Sequence, residues 1–198
     1  MLNRKRAAAW ALCAVLLLNL CPQARAGEEA QAVFLSTAGD WTALVRSCAL
    51  DSWSRGRTVY LQADLDLSGV EFAPIPTFGG VFEGQGHSIS GISLSTAGSS
   101  MGLFRFLQEG AVVRELNVSG TVRPGGSAAQ VGGIAGVNGG CIQNCTFRGT
   151  VQGERCVGGI AGLNRETGQI SGCTAFGQIA GFSATGGITG QNSGVLLK

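Results

Sequence analysis

Asp64 and Asp66 are separated by one residue, so on an extended chain both carboxylates face the same side. Two acids so placed could bind Ca²⁺ or work as the paired carboxylates of a polysaccharide-cleaving enzyme. A hard cation wants roughly six oxygens or more, and no third acid stands near them in sequence. The pair therefore reads as a solvated outer face that ends in a turn at Ser68-Gly69. His87 is the one histidine of the chain, in a Gly-rich turn, and a lone imidazole is weak ground for acid–base chemistry. Cys141, Cys145, Cys156 and Cys173 offer four thiols. A zinc site generally has two tight pairs, and here the second pair is 17 residues apart. These spacings give no metal site, no cofactor site and no catalytic residue. The Gly-Gly stretches are not phosphate loops, since no Lys and no helix follows them.

The elements that must carry these residues are repeats. Val131-Gly132-Gly133-Ile134-Ala135-Gly136-Val137-Asn138 returns as Val157-Gly158-Gly159-Ile160-Ala161-Gly162-Leu163-Asn164, and again as Thr185-Gly186-Gly187-Ile188-Thr189-Gly190-Gln191-Asn192. Each repeat has a second half, in which Ile142, Cys145 and Val151 match Ile170, Cys173 and Ile179. A degenerate copy lies upstream. Met101-Gly102-Leu103-Phe104 stands in for the Gly-rich strand, and Val113, Leu116, Val118 and Val122 fall where Ile142, Cys145, Phe147 and Val151 fall. One step earlier, Ile89, Ile92 and Leu94 are expected to align with Val113, Leu116 and Val118.

Short apolar stretches joined by Gly and Asn turns, with no helix between them, cannot bury a face alone. Stacking solves this: each strand pairs in parallel with its equivalent one repeat away, about 4.8 Å along the axis. The expected fold is all-β, a right-handed parallel β-helix of three strands and three turns per coil. Asn138, Asn164 and Asn192 recur at one position and are expected to form a ladder that satisfies turn backbone. Cys145 and Cys173 are expected to stack inward as core residues, with a disulfide between them left open. Upstream, Ser36 to Cys48 reads as a helix with Trp41, Leu44 and Val45 or Cys48 on its apolar face, capping the N-terminal end of the stack. Val59, Leu61, Ala63, Leu65 and Leu67 alternate with polar residues as one half-buried strand. Residues 27–58 are thus the capping segment, and residues 59–198 the β-helix, its last coil incomplete.

Residues 1–26 read as a secretory signal peptide. Arg4, Lys5 and Arg6 form a basic start, Ala7 to Leu20 is apolar, and Ala24-Arg25-Ala26 is a cleavage signal before Gly27. Cleavage after Ala26 predicts a secreted or cell-surface protein. It removes four of the 14 basic residues and leaves ten against 12 acidic ones. With no basic patch, nucleic acid is not an expected partner. Five cysteines remain, Cys48, Cys141, Cys145, Cys156 and Cys173, an untidy number for a disulfide framework.

Gly-Gly-Ile-Ala-Gly-x-Asn followed by Ile-x-Asn-Cys resembles the GLUG-type repeat of bacterial surface proteins, which also occurs outside the catalytic domain of immunoglobulin-A protease-like proteins. Asp64 to Gly69, Pro74-Ile75 and Phe82 to Ile89 resemble the segment that precedes such repeats. The resemblance covers roughly residues 36–198. It implies an exported stalk or adhesive arm that presents a side face to a host protein or glycan. Protease activity is not implied, because the His-Glu-x-x-His of a zinc protease is absent: His87 is followed by Ser88. The alternative is a polysaccharide-active β-helix enzyme, which should gather acids and Arg or Lys on neighbouring coils. Because the last coil has no partner for Ile170 to Ile179, self-association through the C-terminal edge is expected, or a chain that continues past Lys198.

Overall fold

The computed structural model describes residues 31–198. The signal-peptide expectation lies outside the described residues. The chain forms an all-β parallel β-solenoid of about six turns with one short helix near its start. Every strand pairing is parallel and joins a strand to its equivalent in the next coil.

Each coil passes through the same faces in the same order. Face 1 is a seven-stranded sheet, from Gln31–Leu35 through Arg57–Leu61, Val81–Glu83, Val112–Arg114, Cys141–Gln143 and Gln169–Ser171 to Val195–Leu197. Face 2 stacks Leu65–Asp66, Ser88–Leu94, Asn117–Val122, Thr146–Gln152 and Thr174–Ala180. Face 3 is present only in the later coils, as Ala129–Gly132, Arg155–Gly158 and Ser183–Gly186. Face 4 stacks Ile75–Phe78, Phe104–Leu107, Ala135–Asn138, Ala161–Asn164 and Thr189–Asn192. The later coils thus have four strands, not the expected three. The Gly-Gly-Ile at the centre of each repeat forms a corner that divides one apolar run into faces 3 and 4.

The helix Ala38–Ser47 has Thr37 as its N-cap. The Thr37 hydroxyl accepts from Asp40 N–H, and the Asp40 carboxylate accepts from Thr37 N–H at 2.8 Å, a reciprocal capping box. Trp41, Leu44 and Cys48 are buried, whereas Val45 is only partly so. Trp41 stacks on Phe72 and donates from Nε1 to Ala73 O at 3.3 Å. The strand Gln31–Leu35 precedes the helix and pairs with Arg57–Leu61. In this first coil the helix therefore takes the place of the face 2 and face 4 strands and lies over the end of the stack.

Three expectations for the early coils need correction. The strand Gln31–Leu35 was not expected, because residues 27–58 read only as a capping segment. The alternating run from Val59 to Leu67 is two strands, Arg57–Leu61 and Leu65–Asp66, on different sheets. Alternation continues round the corner because side chains keep facing in and out, so Val59, Leu61, Leu65 and Leu67 are all buried. In the upstream coil Phe82, not Ile89, opposes Val113, while Ile89 opposes Val118 and Leu94 opposes Val122. The register shifts between Ile89 and Ile92 because the strand bulges there.

The interior changes character along the axis. Phe78, Phe82 and Phe104 pack in one cluster with centroids 5.4 to 6.2 Å apart. Later coils fill the same space with Ile134, Ile142, Val151, Ile160 and Ile170. The register places Ile142 on Ile170 and Val151 on Ile179. Gln169–Ser171 is not an open edge: Val195–Leu197 pairs with it, so the expectation of unpaired backbone across residues 170–179 is corrected at residues 170–171. Thr174–Ala180 is the outermost strand of face 2.

Candidate functional site

The corner between face 4 and face 1 holds the asparagines. The register runs Phe78, Leu107, Asn138, Asn164, Asn192, one per coil. Two apolar residues thus give way to three amides. Asn138 Nδ2 donates to Asn164 Oδ1 at 2.8 Å, and Asn164 Nδ2 donates to Asn192 Oδ1 at 2.7 Å. Asn138 Oδ1 accepts from Gly140 N–H at 3.1 Å, and Asn164 Nδ2 also reaches Gly168 O at 3.2 Å. Asn138 and Asn164 are fully buried. A buried amide must find partners for all its polar atoms, and here the adjoining turn and the neighbouring amide supply them.

The links that leave this corner alternate in length. Gly79-Gly80 is short, Gln108-Glu109-Gly110-Ala111 is long, Gly139-Gly140 is short, Arg165-Glu166-Thr167-Gly168 is long, and Ser193-Gly194 is short. The two long links stand out on either side of Gly139, which has no side chain to fill the space. The result is an open groove of about 480 Å³. Gln108 and Glu109 line one wall, Arg165, Glu166 and Thr167 the other, with Gly139 in the floor. Thr167 Oγ1 donates to Gly139 O at 2.8 Å and ties the second wall to the floor. Arg165 N–H donates to Asn138 O at 2.8 Å, so that wall starts directly from the ladder.

Glu109, Arg165 and Glu166 were not among the expected site residues. They fall in linkers between repeats, where no motif marks them. The signal that could have found them is the length of the link after each ladder position. They bring two acids and a base to one groove, from coils two steps apart.

The other candidates have structural partners. Asp64 lies in the corner after Leu61 rather than on a strand with Asp66. It accepts from Ser88 N–H at 2.8 Å and faces His87 Nδ1 at 3.3 Å. The Ser88 backbone N–H, then the Ser88 and His87 side chains, hold its carboxyl below the usual range. Asp66 Oδ1 accepts from Ser68 N–H at 2.9 Å. The two acids serve two different turns. Among the described residues, no three His, Cys, Asp or Glu side chains come together as a metal site.

Cys145 and Cys173 occupy the corner between faces 1 and 2 in neighbouring coils, and both are thiols. Cys145 is fully buried and Cys173 half-buried. Cys48, under the helix, is also a buried thiol, pushed up to about 12 by loss of solvation. A smaller hollow of about 390 Å³ lies between faces 2 and 3, lined by Arg123, Gln152, Glu154 and Phe182. Phe182 is 90% exposed there.

Comparison with known proteins agrees with this architecture. The chain is 33% identical over 128 residues to halomucin of Haloquadratum walsbyi, covering 56% of this chain and 1% of halomucin. It superposes with a TM-score of 0.56 on the crystal structure of a candidate immunoglobulin A1 protease from Bacteroides ovatus, at 21% identity, over 86% of this chain and 66% of that one. At that identity the likeness is one of fold. The chain thus spans a small part of halomucin and less than two thirds of the Bacteroides protein. Residues 153–180, which run from the turn before Arg155 through the strand Thr174–Ala180, match the GLUG motif, so this chain is a parallel β-solenoid that carries that motif.

Proposed function

We propose that the chain is a structural and adhesive module of an exported surface or secreted protein, and that the groove over Gly139 is the part of its side face that meets a host protein or glycan. The observation that carries this reading is the alternation of short and long links, which opens a groove edged by charged side chains along one corner of the stack. Glu109 and Glu166 offer acceptors of the kind that hold sugar hydroxyls, and Arg165 adds a cation, whereas the Gln108 amide is held by Arg55, Asp51 and Thr77. The basic start and Ala24-Arg25-Ala26 support export. The likeness to halomucin and to the Bacteroides protein supports a place in large exported chains. The test is binding of the purified chain to a glycan array and to immobilised host glycoproteins, with Arg165→Ala and Glu166→Gln beside it. Binding that both variants weaken tenfold or more supports the reading. Binding that ignores them, or none at all, sinks it.

A second reading has one observation in its favour: Glu109 and Glu166 line the same groove. Paired carboxylates there could cleave a polysaccharide, one as acid and one as base or nucleophile. Release of new reducing ends, lost in both Glu109→Gln and Glu166→Gln, would establish it over the adhesive reading.

A further inference from the structure

The corner between faces 1 and 2 has the same construction in three successive coils. A residue with left-handed backbone ends the face 1 strand: Glu115 at φ 53°, Asn144 at φ 50°, and Gly172 at φ 60°. The next residue turns inward: Leu116, Cys145 and Cys173. Register on both sides is unbroken, with Gln143 opposite Ser171 before the corner and Thr146 opposite Thr174 after it. Thr174 N–H donates to Cys145 O at 3.0 Å. Cys145 and Cys173 are therefore direct stack neighbours, one coil apart. Cys145 Sγ reaches Val113 O at 3.7 Å and Cys173 Sγ reaches the equivalent carbonyl one coil on, Ile142 O, at 3.6 Å, so the two thiols sit in the same orientation in successive coils. Each also leans on strand carbonyls, Cys145 Sγ on Gln143 O at 3.1 Å and Cys173 Sγ on Ser171 O at 3.3 Å.

We propose that Cys145 and Cys173 are a built-in cross-link site, a dithiol that oxidises to a disulfide and bolts two neighbouring coils of the solenoid together. Stacked equivalent residues sit about 4.8 Å apart along the axis, within the Cα range a disulfide spans. The two sulfurs differ in access. Cys173 is half-buried and Cys145 has no exposed surface, so Cys173 meets the oxidant first. The neighbouring Cys145 also favours the thiolate at Cys173, while the neighbouring Cys173 and then burial disfavour it at Cys145. The oxidant is a disulfide, either small and soluble or carried by a thiol–disulfide oxidoreductase. The Cys173 thiolate attacks one of its sulfurs, forms a mixed disulfide and expels the other as a thiolate. The Cys145 thiolate then attacks the Cys173 sulfur and expels the second thiolate. Two protein thiols are oxidised by two electrons, the incoming disulfide is reduced to two thiols, and the two thiol protons pass to the leaving thiolates. The link closes across the repeat that carries the GLUG match, so it restrains that repeat in the unfolded chain.

The test uses the full chain with oxidised glutathione at pH 8, followed by alkylation under denaturing conditions and digestion without reduction. The expected product is one species that joins the peptide holding Cys145 to the peptide holding Cys173. It is two hydrogens lighter than the two thiol peptides together, and dithiothreitol reverses it. Oxidation should raise the melting midpoint by on the order of 10 °C. Cys173→Ser removes a half-buried thiol and is chosen to keep the fold. It should abolish both the linked species and the oxidant-dependent shift, and Cys145→Ala should do the same where it folds. A stable glutathione adduct on Cys173, a link from Cys173 to any other cysteine, or two thiols that stay alkylatable would overturn the proposal. An oxidant-dependent shift that persists in Cys173→Ser would overturn it too. None of these outcomes depends on what the groove binds.

Discussion

A Cβ atom placed on Gly133 would lie 2.3 Å from Cγ of Phe147. Gly133 sits in the corner between faces 3 and 4 and Phe147 on face 2 of the coil that follows, and the glycine is what lets the ring enter the core. The Gly159 carbonyl closes in from the next coil at 2.4 Å. Gly133→Ala should therefore destabilise the chain by about 3 kcal/mol. Adding Phe147→Leu should recover only part of this, because the Gly159 carbonyl is backbone and stays. Urea melts of the two variants measure the difference. Full recovery in the double variant would show that the ring alone sets the constraint.

The buried asparagines predict a pH signature. Asn164→Asp keeps an acceptor for Asn138 but loses the donor to Asn192 and Gly168. At neutral pH it should cost about 2–4 kcal/mol, since a carboxylate is then buried among carbonyl oxygens. Burial raises the folded-state pKa of the new acid above its unfolded value. Its penalty is absent below the unfolded pKa, where both states are protonated, and grows as pH rises through the folded one. Melting midpoints of the variant relative to wild type should converge towards pH 4. A constant gap across pH 4 to 8 would place the side chain in solvent.

The helix should act as a lid on the stack. Trp41→Ala removes a buried side chain between the helix and Phe72, and should cost about 3–5 kcal/mol by denaturant melt. Asp40 adds an acid limit. The Ser36 backbone N–H, then the Thr37 hydroxyl and N–H, hold its carboxyl below the ordinary aspartate value of 3.8. Its contribution is present above that value and disappears as pH falls through the lowered one. Asp40→Asn should flatten that acid limb, as followed by helical circular dichroism.

Self-association through face 2 is the partner expectation that remains to be measured. Thr174–Ala180 is the outermost strand there, and the Phe176 side chain is 47% exposed beneath the Arg148 guanidinium. We propose a second copy as its partner. Sedimentation should show concentration-dependent dimers that Gln178→Lys weakens. A monomer at every concentration rejects this.

Export should leave a mature protein that begins at Gly27. N-terminal sequencing of the chain secreted from a bacterial host decides it, and a product that still carries Arg4 to Arg6 excludes cleavage at Ala26.

The repeated half of the fold was legible because like residues stack on like residues. Val131 lies opposite Val157, and Asn138 opposite Asn164, so the alignment of the repeats is itself the register. The upstream coils were less legible for two physical reasons. In-and-out alternation does not stop at a corner, so the turn between Leu61 and Leu65 left no mark in the pattern. The bulge between Ile89 and Ile92 shifts register in a strand where apolar residues recur often enough to align more than one way. Gln31–Leu35 escaped because a single strand outside the repeats has no counterpart to reveal it. The groove residues escaped because the adhesive-stalk and enzyme readings both look to motifs, and here the shape comes from link length alone.

Those links also fix a dimension. The walls over Gly139 rise from coils two steps apart, so their bases are separated by about 9.6 Å. One wall is pinned by Arg165 N–H to Asn138 O and Thr167 Oγ1 to Gly139 O, the other by the Gln108 amide to Asp51 O and Thr77 Oγ1. The groove is then a fixed-gauge caliper. On the proposed reading a ligand would be selected by width, and a bulkier branch on a glycan would be turned away rather than accommodated.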